Sequence, residues 1–180
     1  MRELFISHSW KPLQNGNCGH RYALRFSLNI KRYGWTTWID DNYMCGYIDT
    51  CIASAIRECK AFIVLLSSSY NADFKNNKNN FYAHNNCFKE LNYALYLNKP
   101  IILVVVDEEM KNIENWANIL TIRMAGFIFL DATKKDVSSA LTFTLQQYNI
   151  VPDIKIKPSL KRIFEKGRKK NNSIRKIVYV

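Results

Sequence analysis

Residues 61–66 read Ala-Phe-Ile-Val-Leu-Leu, and no other stretch of the chain says more about its fold. The run has the length of a β-strand and contains no polar residue, so it lacks the alternation of a strand with one solvated face. Uninterrupted apolar strands are typical of parallel sheets that helices cover on both sides. The stretch therefore predicts a central strand of an α/β domain.

Similar runs flank it on both sides. The predicted strands are residues 3–7, 35–40, 61–66, 100–106 and 126–131. The segments between and after them have helical periodicity, at residues 18–33, 47–59, 86–97, 111–124 and 133–148. Five alternating units predict a flavodoxin-like α/β fold, a five-stranded parallel sheet with helices on both faces. Function in such sheets lies at the carboxyl ends of the strands, which directs attention to residues 7–19, 40–46, 67–86 and 106–109.

The composition limits the class of protein. The chain has 180 residues, 48% hydrophobic and 13% aromatic, which is enough for one domain with a substantial core and too apolar for a disordered chain. No apolar run has the length of a membrane span, and the first residues lack a signal-peptide pattern, so we expect a cytoplasmic protein. Five cysteines without a C-x-x-C pair favour reduced, mostly buried thiols over a disulfide framework or a zinc site.

The formal charge of +11 is concentrated near the end of the sequence. Residues 152–180 hold ten Lys or Arg and two acidic residues, a net charge of +8, which leaves +3 for residues 1–151. We therefore predict a folded domain over residues 1–151 and a basic C-terminal tail over residues 152–180. The tail is a candidate for contact with anionic lipid or nucleic acid, or for a localisation signal, and a flexible solubilising extension is the alternative.

Four motifs in order resemble the TIR (Toll/interleukin-1 receptor) domain family across residues 1–148. They are Leu4-Phe5-Ile6-Ser7-His8-Ser9; Gly34-Trp35-Thr36-Thr37-Trp38-Ile39-Asp40 with the loop ending at Ile48; Phe62-Ile63-Val64-Leu65-Leu66-Ser67 with Tyr70; and Cys87-Phe88-Lys89-Glu90-Leu91. The family includes scaffolds that assemble signalling complexes and enzymes that hydrolyse NAD⁺. The resemblance implies NAD⁺ as substrate rather than as a retained cofactor, with self-association or pairing with other TIR domains.

The family's catalytic glutamate corresponds to Glu90 in this chain. If residues 86–97 are helical, Glu90 lies about 100° from the centre of the apolar stripe, which predicts a partly desolvated carboxylate at its edge. Such a group could stabilise the cationic ribosyl group that forms when nicotinamide leaves. A solvated residue in the first turns of the helix, favoured by the helix dipole, is the alternative.

The resemblance also implies that His8, Ser9 and Tyr43 line the nucleotide site. His8 and Tyr43 can stack on a base or ribose, Ser9 can bond a phosphate, and Gly46 suits a tight turn. His8 as a simple capping or loop residue is the alternative. Trp10 and Trp38 are further aromatic candidates, although Trp38 lies within a predicted strand and is better explained as core.

Two departures from the family pattern concern substrate binding. Several members carry an arginine just after the first strand, where this chain offers Lys11 as the nearest cation. Many have Trp before the cysteine of C-x-x-E, where this chain has Asn86. These differences keep a non-enzymatic TIR adaptor, acting through residues 40–48 and its helix faces, as the alternative function.

Other chemistries are less well supported by the residues. Cys87 and His84 could pair as thiol and base, but a buried packing cysteine is the simpler interpretation. Asp107, Glu108 and Glu109 could bind a metal, but a solvated loop or helix N-terminal turn explains them as well. No glycine-rich dinucleotide fingerprint or P-loop occurs in the sequence.

Overall fold

A parallel sheet of five strands forms the centre of the protein. The computed structural model describes residues 2–40, 47–75, 85–127 and 129–153. The strands are β1 (Leu4–Ser7), β2 (Thr37–Trp38), β3 (Ala61–Leu66), β4 (Ile101–Val105) and β5 (Phe129–Asp131). Their order in the sheet is β2-β1-β3-β4-β5, and every neighbouring pair is parallel. The predicted flavodoxin-like topology is confirmed.

Helices cover both faces of this sheet. They are α1 (Gly19–Lys31), α2 (Ile48–Glu58), α3 (Ser68–Lys75), α4 (Asn86–Tyr96), α5 (Asn118–Met124) and α6 (Ser138–Gln147). Short 3₁₀ turns at Glu108–Lys111 and Ile113–Asn115 precede α5. Among the described residues, no helix has both the length and the apolar character that crossing a bilayer requires.

The two faces of the sheet bury separate hydrophobic clusters. Alternate residues of β3 point to opposite sides, so Phe62 packs toward α2, α4 and α5 whereas Ile63 packs toward α1 and α6. Across β2, β1 and β3 the rings of Trp38, Phe5 and Phe62 are stacked, with centroids 4.5 and 5.1 Å apart. Trp38 is therefore a packing residue, as its position in a strand predicts.

The order of the strands reverses between β1 and β3. The chain steps from β1 to β2 on one side and from β3 to β4 and β5 on the other. Ser7, the last residue of β1, is in register with Val64 of β3. In doubly wound sheets, ligands bind beyond the carboxyl ends of the strands at such a point.

The segment before α5 differs from the single predicted helix over residues 111–124. The amide N–H of Ala117 donates to Asn71 Oδ1 over 2.6 Å, and the indole N–H of Trp116 donates to the Met110 carbonyl over 2.8 Å. The Ala117 N–H and the Met110 carbonyl are thus bonded to side chains and not to the backbone of one continuous helix. Helix α5 accordingly begins only at Asn118.

A second difference concerns residues 68–75, which fall in the connection 67–86, where the sequence predicts neither a strand nor a helix. They form α3, whose buried side chains include Tyr70, Asn71, Asp73 and Phe74. The helix begins directly after β3, where the Ser67 hydroxyl accepts the amide N–H of Tyr70 over 3.0 Å and so caps its first turn. The rest of the Asn-rich stretch, residues 76–84, lies outside the described residues.

At the amino edge of the sheet, Glu3 joins three distant parts of the chain. One carboxylate oxygen accepts the backbone N–H and the hydroxyl of Thr36, at 3.0 and 3.1 Å. The other accepts the Lys60 ammonium at 3.0 Å and the backbone N–H of Asp153 at 2.6 Å. Burial acts to raise the pKa of Glu3, but the bonds from Thr36, Lys60 and Asp153 outweigh it and lower the pKa below its ordinary value.

Candidate active site

The carboxyl end of β1 supplies three consecutive buried polar residues, Ser7, His8 and Ser9. After them the chain turns back into α1, where a Cβ added at Gly19 would meet the Ser9 carbonyl oxygen at 2.2 Å. Only glycine permits this approach of the helix start to the loop. The loop after β1 is thus held close to the sheet by backbone packing.

Helix α4 brings Glu90 to the same edge. Asn85 caps the helix, its side-chain oxygen accepting the amide N–H of Phe88 over 3.1 Å. One turn later, the Glu90 carboxylate oxygen Oε2 accepts a 2.6 Å hydrogen bond from the Ser7 hydroxyl. Glu90 is only 4% exposed, so it is more deeply buried than its place at the edge of the helical stripe predicts.

Burial has a large effect on the Glu90 carboxyl. Its pKa rises from 4.5 to about 8, because desolvation disfavours the charged form more strongly than the Ser7 hydrogen bond favours it. The negative charge of Asp40, just beyond β2, raises the pKa further. At neutral pH most of the free protein therefore holds Glu90 protonated, and a nearby positive charge would favour its ionisation.

Tyr70 completes this group of buried side chains. It belongs to α3, it is fully buried, and its hydroxyl oxygen lies 3.2 Å from Ser7 Oγ. Burial raises the pKa of Tyr70 well above its ordinary value, so the phenol remains protonated. The sequence motif after the third strand contains Tyr70, but without α3 nothing in the sequence brings it to Glu90.

His8 lies within the loop among aromatic rings. Its Nε2 is 2.8 Å from Nδ1 of His20, and its Nδ1 is 3.3 Å from the Ile6 carbonyl oxygen. Burial, followed by the nearby His20, lowers the pKa of His8 to about 4, so the imidazole is neutral at physiological pH. Trp10 stacks on His20 with centroids 3.9 Å apart and is 50% exposed, which makes it the accessible ring of this group.

Ser9 and Lys11 both contact Asp73 of α3. Lys11 forms an ion pair with the buried Asp73 carboxylate, and the Ser9 hydroxyl lies 3.4 Å from the other carboxylate oxygen. The Lys11 side chain is 58% exposed, so its ammonium remains open to solvent beside the ion pair. An anionic group entering here would meet a cation whose charge Asp73 already balances in part.

Tyr43 and Gly46, predicted from the loop after the second strand, lie outside the described residues. His84 lies outside them too, so its pairing with Cys87 has no structural description. Cys87 itself is buried, its thiol donates to the His8 carbonyl over 3.3 Å, and burial raises its pKa well above the ordinary value. A thiol in that environment is a poor nucleophile, which supports its interpretation as a packing residue.

The acidic residues after β4 play different parts. Asp107 is buried, not solvated, and its two carboxylate oxygens accept the backbone N–H groups of Gln14 and Ser68, at 3.1 and 2.9 Å. It thereby ties the loop after β1 to the start of α3. Glu108 and Glu109 are exposed in a 3₁₀ turn. Within the parts of the chain that the structure describes, no three His, Cys, Asp or Glu side chains are grouped to hold a metal ion.

The comparisons with known proteins concern most of the folded unit. A family model described as a TIR domain matches residues 4–142. Among solved structures, the chain is similar to a CMP N-glycosidase from Clostridium botulinum, at 18% sequence identity and a TM-score of 0.47, with 80% of this chain and 100% of that chain covered. No curated protein matches the chain.

Proposed function

This chain belongs to the TIR domain family, and from that premise we propose that it is an NAD⁺ glycohydrolase that cleaves the bond between nicotinamide and ribose, with Glu90 as the catalytic carboxylate. The observation that carries the proposal is the position of Glu90. A buried carboxyl with a strongly raised pKa, at the strand edge where the order of the sheet reverses, is typical of a residue selected for chemistry.

The reaction needs little from the protein besides electrostatic stabilisation. The bond between ribose C1′ and the pyridinium nitrogen breaks, and its electron pair stays on that nitrogen, so nicotinamide leaves as a neutral molecule. Positive charge develops on the ribosyl group, where the Glu90 carboxylate stabilises it or bonds the ribose hydroxyls. Water then adds to C1′ and releases a proton, giving ADP-ribose; attack by the adenine ring instead gives a cyclic product.

The substrate itself supplies the charge that ionises Glu90. With a pKa of about 8, about a tenth of the free protein carries an ionised Glu90 at pH 7. The nicotinamide ring of NAD⁺ is cationic, and a positive charge within a few ångströms lowers the pKa of a carboxyl. Binding of NAD⁺ therefore favours the carboxylate form that the reaction needs.

Residues of the loop after β1 supply further contacts in the proposed site. Trp10 offers an exposed ring to a base, and Lys11 with Ser9 offers donors to a phosphate. His8 lies in the same loop and is proposed to line the nucleotide site. Tyr43 is proposed for that site from the family resemblance alone. No cofactor is required, because NAD⁺ is the substrate, and self-association with other TIR domains is part of the proposal.

The test is to incubate the full chain with NAD⁺ over a range of protein concentrations and to measure nicotinamide by chromatography, beside Glu90→Gln. We expect nicotinamide release that rises faster than linearly with protein concentration and that Glu90→Gln abolishes. Mass spectrometry of the ribosyl product distinguishes ADP-ribose from a cyclic form. Absence of release at every concentration, or equal release by the variant, would rule the activity out.

One observation favours a non-enzymatic TIR adaptor as the second candidate. At the start of α2, Tyr47 is 87% exposed and the neighbouring Ile48 is also exposed, and these two large hydrophobic residues are the last of the loop 40–48. Exposed apolar side chains of this kind are typical of protein contacts. The variant Tyr47→Ala with Ile48→Asp would lose self-association by light scattering, and retention of the native oligomer would exclude this surface.

A further inference from the structure

Two buried hydroxyl groups, of Tyr70 and Ser7, form a chain of short contacts that ends at the proposed catalytic carboxylate. The Tyr70 hydroxyl is 3.2 Å from Ser7 Oγ, and Ser7 Oγ is 2.6 Å from Glu90 Oε2. The three residues come from α3, β1 and α4, and each is almost completely buried. Elements far apart in sequence thus converge on one oxygen of Glu90.

When Glu90 is ionised, the number of protons fixes the direction of this chain of hydrogen bonds. A serine hydroxyl has one proton, and in Ser7 that proton is donated to Glu90. Ser7 can then only accept from Tyr70, so the phenol donates to the serine and the serine donates to the carboxylate. Two O–H dipoles in series point toward Oε2, and each strengthens the other in a medium of low dielectric constant.

We propose that Ser7 and Tyr70 are positioning residues for Glu90, which hold Oε2 in place and stabilise the ionised carboxylate while the other oxygen, Oε1, faces the substrate. The assignment rests on the proposed function of Glu90. Among the described residues the Ser7 bond to Oε2 is the one hydrogen bond that the carboxyl makes, so one oxygen is fixed and Oε1 has no such partner there.

Other charged groups also act on this centre. Asp40 raises the pKa of Glu90, and Cys87 lies on the same helix, one turn earlier, as a neutral thiol. The ion pair between Lys11 and Asp73 lies on the side of α3. Among the described groups, the Ser7 hydrogen bond is the one that lowers the pKa of Glu90. Its removal therefore has a predictable sign.

The experiment compares Ser7→Ala and Tyr70→Phe with the wild-type full chain. The readout is the pH dependence of kcat/KM for nicotinamide release, which reports the ionisation of the free enzyme. We expect the acid limb to move upward by about one pH unit in Ser7→Ala and by about half a unit in Tyr70→Phe, with a loss of about tenfold and threefold at pH 7. Ser7→Thr, which keeps a hydroxyl, should restore the wild-type profile.

Two matched controls separate position from simple loss of a hydroxyl. Ser27→Ala removes a buried serine hydroxyl that bonds Thr37 at 2.6 Å, and Tyr93→Phe removes a phenol on α4 that accepts a bond from Arg57 at 3.0 Å. Both should leave the acid limb unmoved. If Ser7→Ala and Tyr70→Phe reduce the rate equally at every pH, the two residues are structural and the proposal is overturned.

A second measurement does not depend on the reaction. The ¹³C NMR titration of the Glu90 carboxyl, assigned by its loss in Glu90→Gln, should shift to higher pH in Ser7→Ala with no NAD⁺ present. A shifted titration without nicotinamide release in the wild type would retain the hydrogen-bond relay and reject the activity. Release that depends on Glu90, with a titration that Ser7→Ala leaves unchanged, would retain the activity and reject the relay.

Discussion

Glu3 and Glu90 are buried glutamates at opposite edges of the same sheet, and their pKa values shift in opposite directions. Glu3 accepts four hydrogen bonds, one of them from the Lys60 ammonium. Glu90 accepts one from the described residues, the bond from Ser7. Both carboxyls are penalised by desolvation, Glu90 more strongly; they differ further in the number and charge of their donors and in the negative charge of Asp40, which acts on Glu90.

The difference separates the structural carboxylate of Glu3 from the carboxyl to which we assign the proposed chemistry. A buried carboxylate with enough donors remains ionised and links the elements that donate to it. A buried carboxyl with few donors is held mostly in its protonated form at neutral pH, and in the proposed reaction a cationic substrate shifts it toward the carboxylate. At the amino edge of the sheet, both oxygens of Glu3 thus have hydrogen-bond donors. At the carboxyl edge, Glu90 has the Ser7 hydroxyl as its donor among the described residues.

The largest expected effect concerns activity. Glu90→Gln should lower nicotinamide release by at least about 100-fold, because the amide cannot supply the negative charge that the ribosyl cation needs. Glu3→Gln, the matched change at the other edge, should leave kcat/KM within about twofold, measured by chromatography well below its melting temperature. Comparable losses of kcat/KM in Glu90→Gln and Glu3→Gln would contradict the assignment of catalysis to the carboxyl edge alone.

The second prediction concerns the pH dependence of stability. The folded pKa of Glu90 lies above its value in the unfolded chain, so the contribution of Glu90 to the free energy of unfolding should fall as pH rises from about 4.5 to about 8 and level off above that. This fall is on the order of 2–4 kcal/mol. His8, whose pKa is lowered to about 4, acts in the opposite direction below about pH 6.5. Urea unfolding of wild type and Glu90→Gln at pH 5 and pH 8 therefore isolates the Glu90 contribution, and Glu90→Gln should be more stable than wild type at pH 8. An equal pH dependence in the variant would show that Glu90 is not its source.

The third prediction is that Glu3→Gln destabilises the fold by about 2 kcal/mol near neutral pH, since a neutral amide replaces the acceptor of charge-assisted bonds. The pKa of Glu3 is lowered on folding, so its contribution is present above the ordinary pKa and disappears as pH falls through the folded value. Urea unfolding of wild type and variant measures the difference. Glu58→Gln, at an exposed position on α2, is the control and should stay within about 0.5 kcal/mol of wild type.

The smallest expected effect on stability distinguishes residues 151–153, which contact Glu3 and Lys60, from the rest of the basic tail. A chain ending at Asp153 keeps the backbone N–H that Glu3 accepts, and it should match the full chain in stability within about 0.5 kcal/mol. A chain ending at Ile150 also loses the bond from Lys60 to the Val151 carbonyl, and thermal unfolding should show a loss of about 1–2 kcal/mol.

The same pair of truncated chains tests the basic tail. The full chain should retard duplex DNA at low salt, and the chain ending at Asp153 should not, since it lacks ten Lys and Arg. Equal retardation by both chains would place the contact on the folded domain.

The sequence predicts the sheet well because its signal is local. The strands β3 and β4 are uninterrupted apolar runs, and β3 is found with its predicted boundaries, Ala61–Leu66. Helix α3 escapes prediction because its apolar stripe rests on only two side chains, Tyr70 and Phe74, between polar residues. Its burial comes from contacts with α4 and α5, which no local pattern contains.

The site is only partly visible in the sequence for a similar reason. Glu90 is identified from its motif, but its deep burial depends on Ser7 and Tyr70, which lie 83 and 20 positions away along the chain. The partners of Glu3 are equally scattered, at Thr36, Lys60 and Asp153. The pKa of each glutamate depends on partners that only the folded chain brings together. The sequence can therefore identify Glu90 as a candidate residue, but it cannot predict the direction in which its pKa shifts.

The link between Glu3 and Asp153 also has a practical consequence for attaching this domain to something else. Because Asp153 is fixed at the amino edge, a surface, reporter or second domain joined after it begins on the side of the sheet away from Ser7 and Glu90. Immobilisation through that end would therefore present the carboxyl edge outward. Attachment after Asp153 is therefore the suitable choice for sensors or arrays in which the proposed substrate must reach the carboxyl edge freely.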